Sequence, residues 1–224
     1  MEKVAANWGV RGLVLGKGKK EEGARKKGQG EEGKGSEERN YTYHAADRDW
    51  DDVGRRCKLV VDSQVTANLL NRQTKCRTGK YEAMVRRCHN MQYQTVKAGW
   101  KPFLDYENFL EWRRREHNKI ADHIANESMK FRKSFSYRNK ELMHAIRPGN
   151  ANILVFSDGG SWETDAIASA GWVAFVLGGH WGDDKNDVHF LAAEGIFIDS
   201  RISAFQAELT AAESALEFIC TLSK

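Results

Sequence analysis

The sequence predicts an α/β fold with a mixed β-sheet, and three observations favour it. Short apolar runs of strand length alternate with longer segments of helical periodicity from residue 57 onward. Glycine-rich turns separate consecutive strand candidates near the end of the chain. The length of 224 residues and the hydrophobic content of 41% suffice for one domain, or at most two, with a real core. We therefore expect a layered domain over most of the chain.

The first fifty residues differ in composition from this predicted domain. Residues 16–35 consist mostly of Gly, Lys and Glu and contain almost no large apolar side chain. Such a segment cannot bury enough apolar surface to offset the conformational entropy that folding removes. We expect residues 1–50 to form a disordered tail.

Strand and helix candidates follow in two groups. The first group, residues 51–135, contains strands at 58–61 and 109–114 and helices at 65–71, 81–97 and 118–131. The second group, residues 152–224, contains strands at 152–157, 170–177 and 188–199 and a helix at 204–222. Residues 136–151 between the groups, which include Pro148 and Gly149, are expected to be a linker.

Four carboxylates stand at informative places in these elements. Asp62 and Asp158 each follow a short apolar run, so we expect both at strand ends. Glu208 and Asp122 lie in stretches with helical periodicity. Carboxylate oxygens are the ligands that Mg²⁺ prefers, and two strand acids with two helix acids can share one metal site.

Each acid also has a purely structural interpretation. Asp158, before two glycines, is compatible with an ordinary turn, and Asp62 with the N-cap of the helix that follows it. Asp122 in the first turns of its helix interacts favourably with the helix dipole. Glu208 is different, because an acid among small apolar neighbours costs free energy unless something binds it. The joint occurrence of all four favours the metal site.

The local patterns around these acids resemble the type 1 ribonuclease H family, especially the form attached to reverse transcriptases of retroelements. Family members carry an Asp-Gly-Ser strand end, a helix with Ala-Glu-Leu-x-Ala, a strand that ends in Asp-Ser and a helix that starts with Arg-x-x-Asn-x-x-Ala-Asp. The corresponding patterns here lie at 158–161, 207–211, 62–63 and 115–122, so the last two come first. The spacings from Asp158 to Glu208 and from Asp62 to Asp122 are compatible with the family.

The resemblance implies a ribonuclease H-like mixed five-stranded sheet flanked by helices, with its elements in circularly permuted order. Residues 51–135 correspond to the C-terminal half of that fold and residues 152–224 to the N-terminal half, together forming one domain. The alternative is two half-domains from a tandem array, which would leave a sheet edge exposed and need a partner chain, as in a homodimer. We favour closure within one chain, because the halves complement each other and a connection of about two dozen residues reaches roughly 70 Å when extended.

The activity implied by the resemblance is a metal-dependent endonuclease that cuts the RNA strand of RNA–DNA hybrids. Its catalytic and metal-binding residues would be Asp158, Glu208, Asp62 and Asp122, holding two Mg²⁺ or Mn²⁺ ions. One alternative is a catalytically inactive module from a decayed retroelement that binds nucleic acid or protein. Another is a recombinase or exonuclease of the same superfamily, which would share the metal site but not the preference for hybrids.

Candidate nucleic-acid contacts lie near the acids and on the basic helix 81–97. The resemblance suggests Ser161 and Gln64, which follow the two strand acids, and the helix offers Arg86 and Arg87 for phosphates. The formal net charge of +4 and the isoelectric point near 8.8 are compatible with a nucleic-acid partner, although solvated helix faces explain them equally well.

Two tryptophans and one histidine have open roles. Trp100 and Trp112 are candidates for base stacking, but we favour core packing for both. Many family members place a flexible histidine loop, which assists product release, before the last acid, and here the corresponding loop is compressed to residues 115–118, as in the retroelement form. The resemblance makes His117 a loose candidate for that role, and we favour an exposed loop residue without it. Asn118 is expected to cap the helix that carries Asp122.

The cysteines and the hydropathy limit the cellular setting. Cys57, Cys76, Cys88 and Cys220 have no Cys-x-x-Cys spacing, which favours reduced thiols in an intracellular protein. The sequence has no apolar run of membrane-spanning length and no signal pattern. We therefore expect a soluble protein without a membrane partner.

Overall fold

The computed structural model describes residues 55–102, 108–146, 151–162, 164–177 and 188–222. The expected tail, residues 1–50, lies outside these ranges. Within them, no helix combines the length and the apolar character that crossing a membrane requires.

Six strands, five α-helices and one short 3₁₀ turn make up this part of the chain. In chain order they are β1 (Arg56–Val61), α1 (Gln64–Leu70), α2 (Gly79–Lys97), β2 (Leu110–Trp112), the 3₁₀ turn (Arg115–His117), α3 (Lys119–Lys130), β3 (Phe135–Arg138), α4 (Lys140–Ile146), β4 (Asn152–Trp162), β5 (Ile167–Leu177), β6 (Val188–Ile198) and α5 (Ala204–Thr221). All nine predicted strands and helices are present, with shifts at their ends.

The strands form one mixed sheet in the order β2-β1-β4-β5-β6-β3. The pairs β2–β1 and β1–β4 are parallel, whereas β4–β5, β5–β6 and β6–β3 are antiparallel. The predicted α/β class with a mixed sheet is therefore confirmed. The predicted number of five strands is wrong, because β3 adds a sixth strand at the edge of β6.

The segment expected to be a linker carries regular structure of its own. Most of β3 and all of α4 fall within residues 136–151. The backbone N–H of Asn139, between them, donates to the carbonyl of Leu191 on β6 at 2.8 Å, and its side chain accepts from the N–H of Leu142 at 3.1 Å. The segment Phe135-Ser136-Tyr137-Arg138 is short and mostly exposed, and pairing with β6 makes it a strand.

The two predicted groups of elements meet within one chain. Strand β1 of the first group pairs in parallel with β4 of the second over six residue pairs, from Arg56↔Asn152 to Val61↔Ser157. Both strands lie in the middle of the sheet, and helices cover both of its faces. The larger core lies on the face covered by α5 and α2, and a second, smaller cluster lies under α3 on the opposite face. The central strands are thus buried on both sides, which is typical of parallel pairs.

Candidate metal centre

The register of β1 and β4 brings the two strand acids together. Val61, the last residue of β1, is paired with Ser157, so Asp62 just beyond β1 and Asp158 on β4 are neighbours. The expectation that Asp158 ends its strand is wrong, because β4 continues to Trp162 and stays paired with β5 throughout. Asp158 therefore lies inside the sheet, where it is only 5% exposed.

A contact between backbones places the third acid. A Cβ on Gly159 would lie 2.2 Å from the carbonyl carbon of Ala207 and 2.3 Å from the nitrogen of Glu208. Only glycine therefore allows α5 to approach β4 this closely. Helix α5 begins with a capping box in which Ser203 and Gln206 satisfy each other's backbone N–H groups, and this defines its start just before Glu208.

Three acids converge as a result, and we call Asp62, Asp158 and Glu208 the acidic triad. One carboxylate oxygen from each lies within 4.8 Å of the other two. Asp158 and Glu208 are buried, and Asp62 is half-buried. The Oε2 atom of Glu208 is buried without a hydrogen-bond partner among the described residues. A buried, unsatisfied carboxylate oxygen is costly unless a cation or a proton neutralises it.

The electrostatics of the triad favour bound positive charge. Burial, followed by the negative charge of Asp62, raises the pKa of Asp158 from 3.8 to about 7. Burial, followed by the charges of Asp158 and Asp62, raises the pKa of Glu208 from 4.5 to about 10. At neutral pH Glu208 therefore holds a proton when no cation is bound, and a divalent cation would compete with that proton.

The fourth predicted acid, Asp122, lies outside the triad. Its Oδ1 accepts a hydrogen bond from the guanidinium of Arg115, and its Oδ2 accepts one from the amide of Asn126 at 3.1 Å. Asp122 is nevertheless near, because its charge is among the causes that raise the pKa of Asp158. The structure thus brings three of the four predicted ligands together, and the fourth lies near them with its carboxylate paired to Arg115.

Helix α3, which carries Asp122, is anchored next to Asp158. Asn118 is 1% exposed, and its amide donates to the carbonyl oxygen of Ser157 at 2.8 Å. It occupies the N-cap position, but the expected side-chain cap is absent, since this amide is directed at β4 instead. A Cβ on Gly171, the register partner of Asp158, would lie 2.5 Å from the backbone nitrogen of Ala125, so α3 also approaches β5 closely.

The predicted nucleic-acid contacts lie on three different elements, β4, α1 and α2. Ser161 lies on β4 three residues after Asp158, and Gln64 is exposed at the start of α1. Arg86 pairs with Glu82 at 3.3 Å within α2. Arg87 donates to Glu213 on α5 at 2.6 Å, so this arginine joins two helices.

The two tryptophans differ from each other. Trp100 is 2% exposed, which confirms the predicted core role. Trp112 is 43% exposed, so core packing is wrong for it. Its indole N–H donates to the carbonyl oxygen of Asp62 at 2.9 Å, a contact that the sequence did not reveal. His117 is exposed in the 3₁₀ turn, as expected.

All four cysteines are free thiols in the structure. Cys57 and Cys88 are buried. Burial raises the pKa of Cys88 to about 12, so this thiol is not a reactive thiolate at neutral pH. None of the four belongs to the acidic triad.

Comparison with known proteins does not name this site. No model of a protein family matches the chain, and no protein of curated function matches its sequence. We therefore infer the chemistry of the site from its own residues.

The acidic triad suits a small, hard divalent cation. Its donors are carboxylate oxygens alone, without the sulfur or imidazole ligands that softer metals prefer. The buried Oε2 atom of Glu208 accepts no hydrogen bond from an N–H group of the described residues, so a cation would have to displace only the proton that the neighbouring acids share with Glu208. Magnesium and manganese both accept such a ligand set and retain several waters when bound.

Proposed function

We propose that this protein is a metal-dependent nuclease of the ribonuclease H type that hydrolyses the RNA strand of RNA–DNA hybrids. The observation that carries the proposal is the acidic triad, in which two buried acids and one half-buried acid converge from β1, β4 and α5. The burial of these charges reduces stability, and binding of a cation is a direct reason for a fold to retain them.

The arrangement of the elements supports a circularly permuted ribonuclease H-like fold. Starting from β4, the chain runs through three antiparallel strands, helix α5, and then, across the two chain ends, β1 and β2, which are parallel to β4. This is the cyclic order that the sequence resemblance implies. Pairing of β1 with β4 inside one chain supports closure without a second copy.

The residues of the triad would have distinct roles. Asp158 is the neighbour of Asp62 across β1 and β4, and the residue after it, Gly159, contacts the backbone of α5. Asp158, Asp62 and Glu208 would hold the cation together, since one oxygen of each lies within 4.8 Å of the other two. Bound Mg²⁺ supplies activation of a water and charge stabilisation of the leaving 3′ oxygen in an in-line displacement at phosphorus. Asp122 would be a ligand of a second ion. Without that ion, its carboxylate accepts a hydrogen bond from Arg115.

The catalytically inactive alternative is less well supported by this geometry. An inactive module has no reason to retain three converging carboxylates, among which the pKa values of Asp158 and Glu208 are raised, because replacing one of them with an amide would remove charge repulsion. A recombinase or exonuclease would use the same triad. The preference for a hybrid comes from the sequence resemblance and needs its own comparison of substrates.

The test is cleavage of a labelled RNA–DNA hybrid by the purified full chain in Mg²⁺, compared with Asp158→Asn and Asp62→Asn. We expect Mg²⁺-dependent cutting of the RNA strand that is lost in both variants and in excess chelator. Asp199→Asn, an exposed acid outside the triad, is the matched control and should retain activity. A folded but inactive wild-type chain would overturn the proposal, and equal cutting of duplex DNA would point to the recombinase or exonuclease alternative.

A further inference from the structure

Trp112 combines solvent exposure with a position beside the acidic triad. It is the last residue of β2, and it is paired in register with Val61, the residue before Asp62. The carboxyl ends of parallel strands lie at the same end of a sheet, so the ring of Trp112 lies at the end of the sheet where the acidic triad is found. Its indole N–H donates to the carbonyl oxygen of Asp62 at 2.9 Å, which holds the ring in one orientation while 43% of the residue stays exposed.

The residues that follow Trp112 are positively charged. The backbone N–H of Arg113 donates to the carbonyl of Val61 at 2.9 Å, which extends the contact between the two strands past Trp112. The side chains of Arg114 and Arg115 are then 62% and 73% exposed. We call Trp112, Arg114 and Arg115 the edge patch. Arg114 pairs with Glu116 at 4.0 Å and Arg115 pairs with Asp122, and both guanidinium groups remain largely exposed. The edge patch thus presents an aromatic surface and two cationic groups at the end of the sheet where the acidic triad lies.

This combination fits a nucleic-acid strand better than a protein partner. Surfaces that bind nucleic acid combine cationic side chains for the phosphates with aromatic rings that pack against nucleotides. A protein interface centred on Trp112 would instead call for a surrounding apolar surface, and the immediate neighbours here are charged. A ring that is already oriented by a hydrogen bond also loses little conformational entropy when a nucleotide packs against it.

We propose that Trp112 contacts the substrate strand next to the scissile phosphate, packing its ring against a nucleotide of that strand while its N–H donates to the carbonyl oxygen of Asp62. This inference rests on the proposed function, since it assigns a contact to the substrate of the same site. Trp112 is then also a positioning residue for Asp62, because contact with the substrate and the position of that acid both depend on the same side chain.

Binding and cleavage are measured separately so that the two proposals can fail independently. The affinity for the hybrid is measured by fluorescence anisotropy in the Asp158→Asn background, because this variant is expected not to cleave the substrate during the measurement. We expect Trp112→Ala to weaken binding about tenfold or more, in line with the loss of one aromatic contact to a nucleotide. Trp112→Phe keeps a ring without the N–H and should bind within about threefold of the parent.

Tyr137→Ala is the matched control for these variants. Tyr137 is 49% exposed on β3, which is the outermost strand on the other side of the sheet from β2. The Tyr137→Ala variant should therefore bind the hybrid with the affinity of the parent. Circular dichroism and thermal unfolding verify that each variant is folded. If Trp112→Ala binds no more weakly than Tyr137→Ala, or if the parent binds no hybrid at all, the inference is overturned.

The role of Trp112 in positioning is read from kinetics with the triad intact. Trp112→Phe should lower kcat with little change in KM, because it loses the hydrogen bond to the carbonyl oxygen of Asp62 and retains a ring that contacts the nucleotide. Trp112→Ala should both lower kcat and raise KM. Cleavage that is insensitive to both variants would overturn the inference and leave the nuclease proposal standing. Hybrid binding that depends on Trp112, in a chain that cleaves no hybrid, would overturn the nuclease proposal and leave the contact between Trp112 and the nucleic acid standing.

Discussion

Gly159 on β4 and Ala207 on α5 are in direct backbone contact, and this contact places Glu208 beside Asp158. A Cβ on Gly159 would lie 2.2 Å from the carbonyl carbon of Ala207, far inside the closest approach of two carbon atoms. The glycine that looks like a turn residue in the sequence is therefore a packing requirement. The acidic triad depends on it, because α5 carries the third acid.

Gly159→Ala should accordingly damage both stability and the metal site. Its Cβ forces α5 away from β4, and overpacking of this kind costs about 1–3 kcal/mol in the free energy of unfolding. The displacement of Glu208 should also weaken Mg²⁺ binding. Urea denaturation and calorimetric titration with Mg²⁺ measure the two effects.

Gly160→Ala is the matched control for that substitution. The nearest atom to a Cβ at Gly160 is the terminal methyl of Met129, at 3.9 Å, which is an ordinary van der Waals contact. We expect its stability to lie within about 0.5 kcal/mol of wild type. Equal destabilisation by the two alanines would show that the contact with Ala207 is not what requires glycine.

The pH dependence of stability without divalent cations should reflect the triad. The pKa of Asp158 is raised from 3.8 to about 7, so the folded chain binds this proton more tightly than the unfolded chain does. Its stabilising contribution is therefore complete below about pH 4 and is lost as the pH rises through 7. Glu208, with a pKa raised to about 10, extends the loss to alkaline pH.

Asp158→Asn isolates this effect. In chelator, the variant should match wild type in free energy of unfolding near pH 4 and exceed it at pH 8 by on the order of 2–4 kcal/mol, since each pKa unit corresponds to about 1.4 kcal/mol. Chemical denaturation at both pH values measures the difference. Asp199→Asn should show no such divergence. A wild-type chain that is more stable than Asp158→Asn at pH 8 would contradict the assignment of a raised pKa.

Divalent cations should stabilise the folded chain through the triad. A cation that binds only the folded state adds about 2.7 kcal/mol at one hundred times its Kd. We expect Mg²⁺ and Mn²⁺ to raise Tm in wild type and in Asp199→Asn, and to have little effect on Asp62→Asn or Glu208→Gln. Differential scanning calorimetry with and without chelator checks this. A similar rise in all four proteins would indicate nonspecific cation binding elsewhere.

Asn118 should matter for stability more than its position in a loop suggests. Asn118→Ala removes the donor to the carbonyl of Ser157 in a buried site, and leaving a buried acceptor unpaired costs about 1–3 kcal/mol. The variant should also lose activity, because Ser157 precedes Asp158. Asn90→Ala, at an exposed position of α2, is the control and should be close to neutral. Urea denaturation compares the two.

The local patterns of the sequence predict much of the fold. Periodicity and apolar runs are enough to find nine of the strands and helices, since burial on one face of a helix or on both faces of a strand leaves a signal in neighbouring residues. Strand β3 escapes this prediction because it is short and exposed, and only pairing with β6 makes it a strand.

The site is predictable in part, for a related reason. Asp62, Asp158 and Glu208 each stand in a local pattern of neighbouring residues, so the sequence alone indicates all three as candidate ligands. Asp122 stands in such a pattern too, yet its carboxylate is held by Arg115 and Asn126. Which partner a carboxylate takes depends on distances between side chains, and spacing along the chain does not specify those.

By itself, the sequence determined the α/β class, the order of the elements and the identity of the acids, because these depend on composition and on periodicities of two to four residues. Tertiary structure alone decided that Gly159 admits α5, that Trp112 binds Asp62 and stays exposed, and that β1 and β4 join in one sheet. These are contacts between residues far apart in the chain. They arise from close packing of backbones and side chains, for which a single sequence carries no local signal.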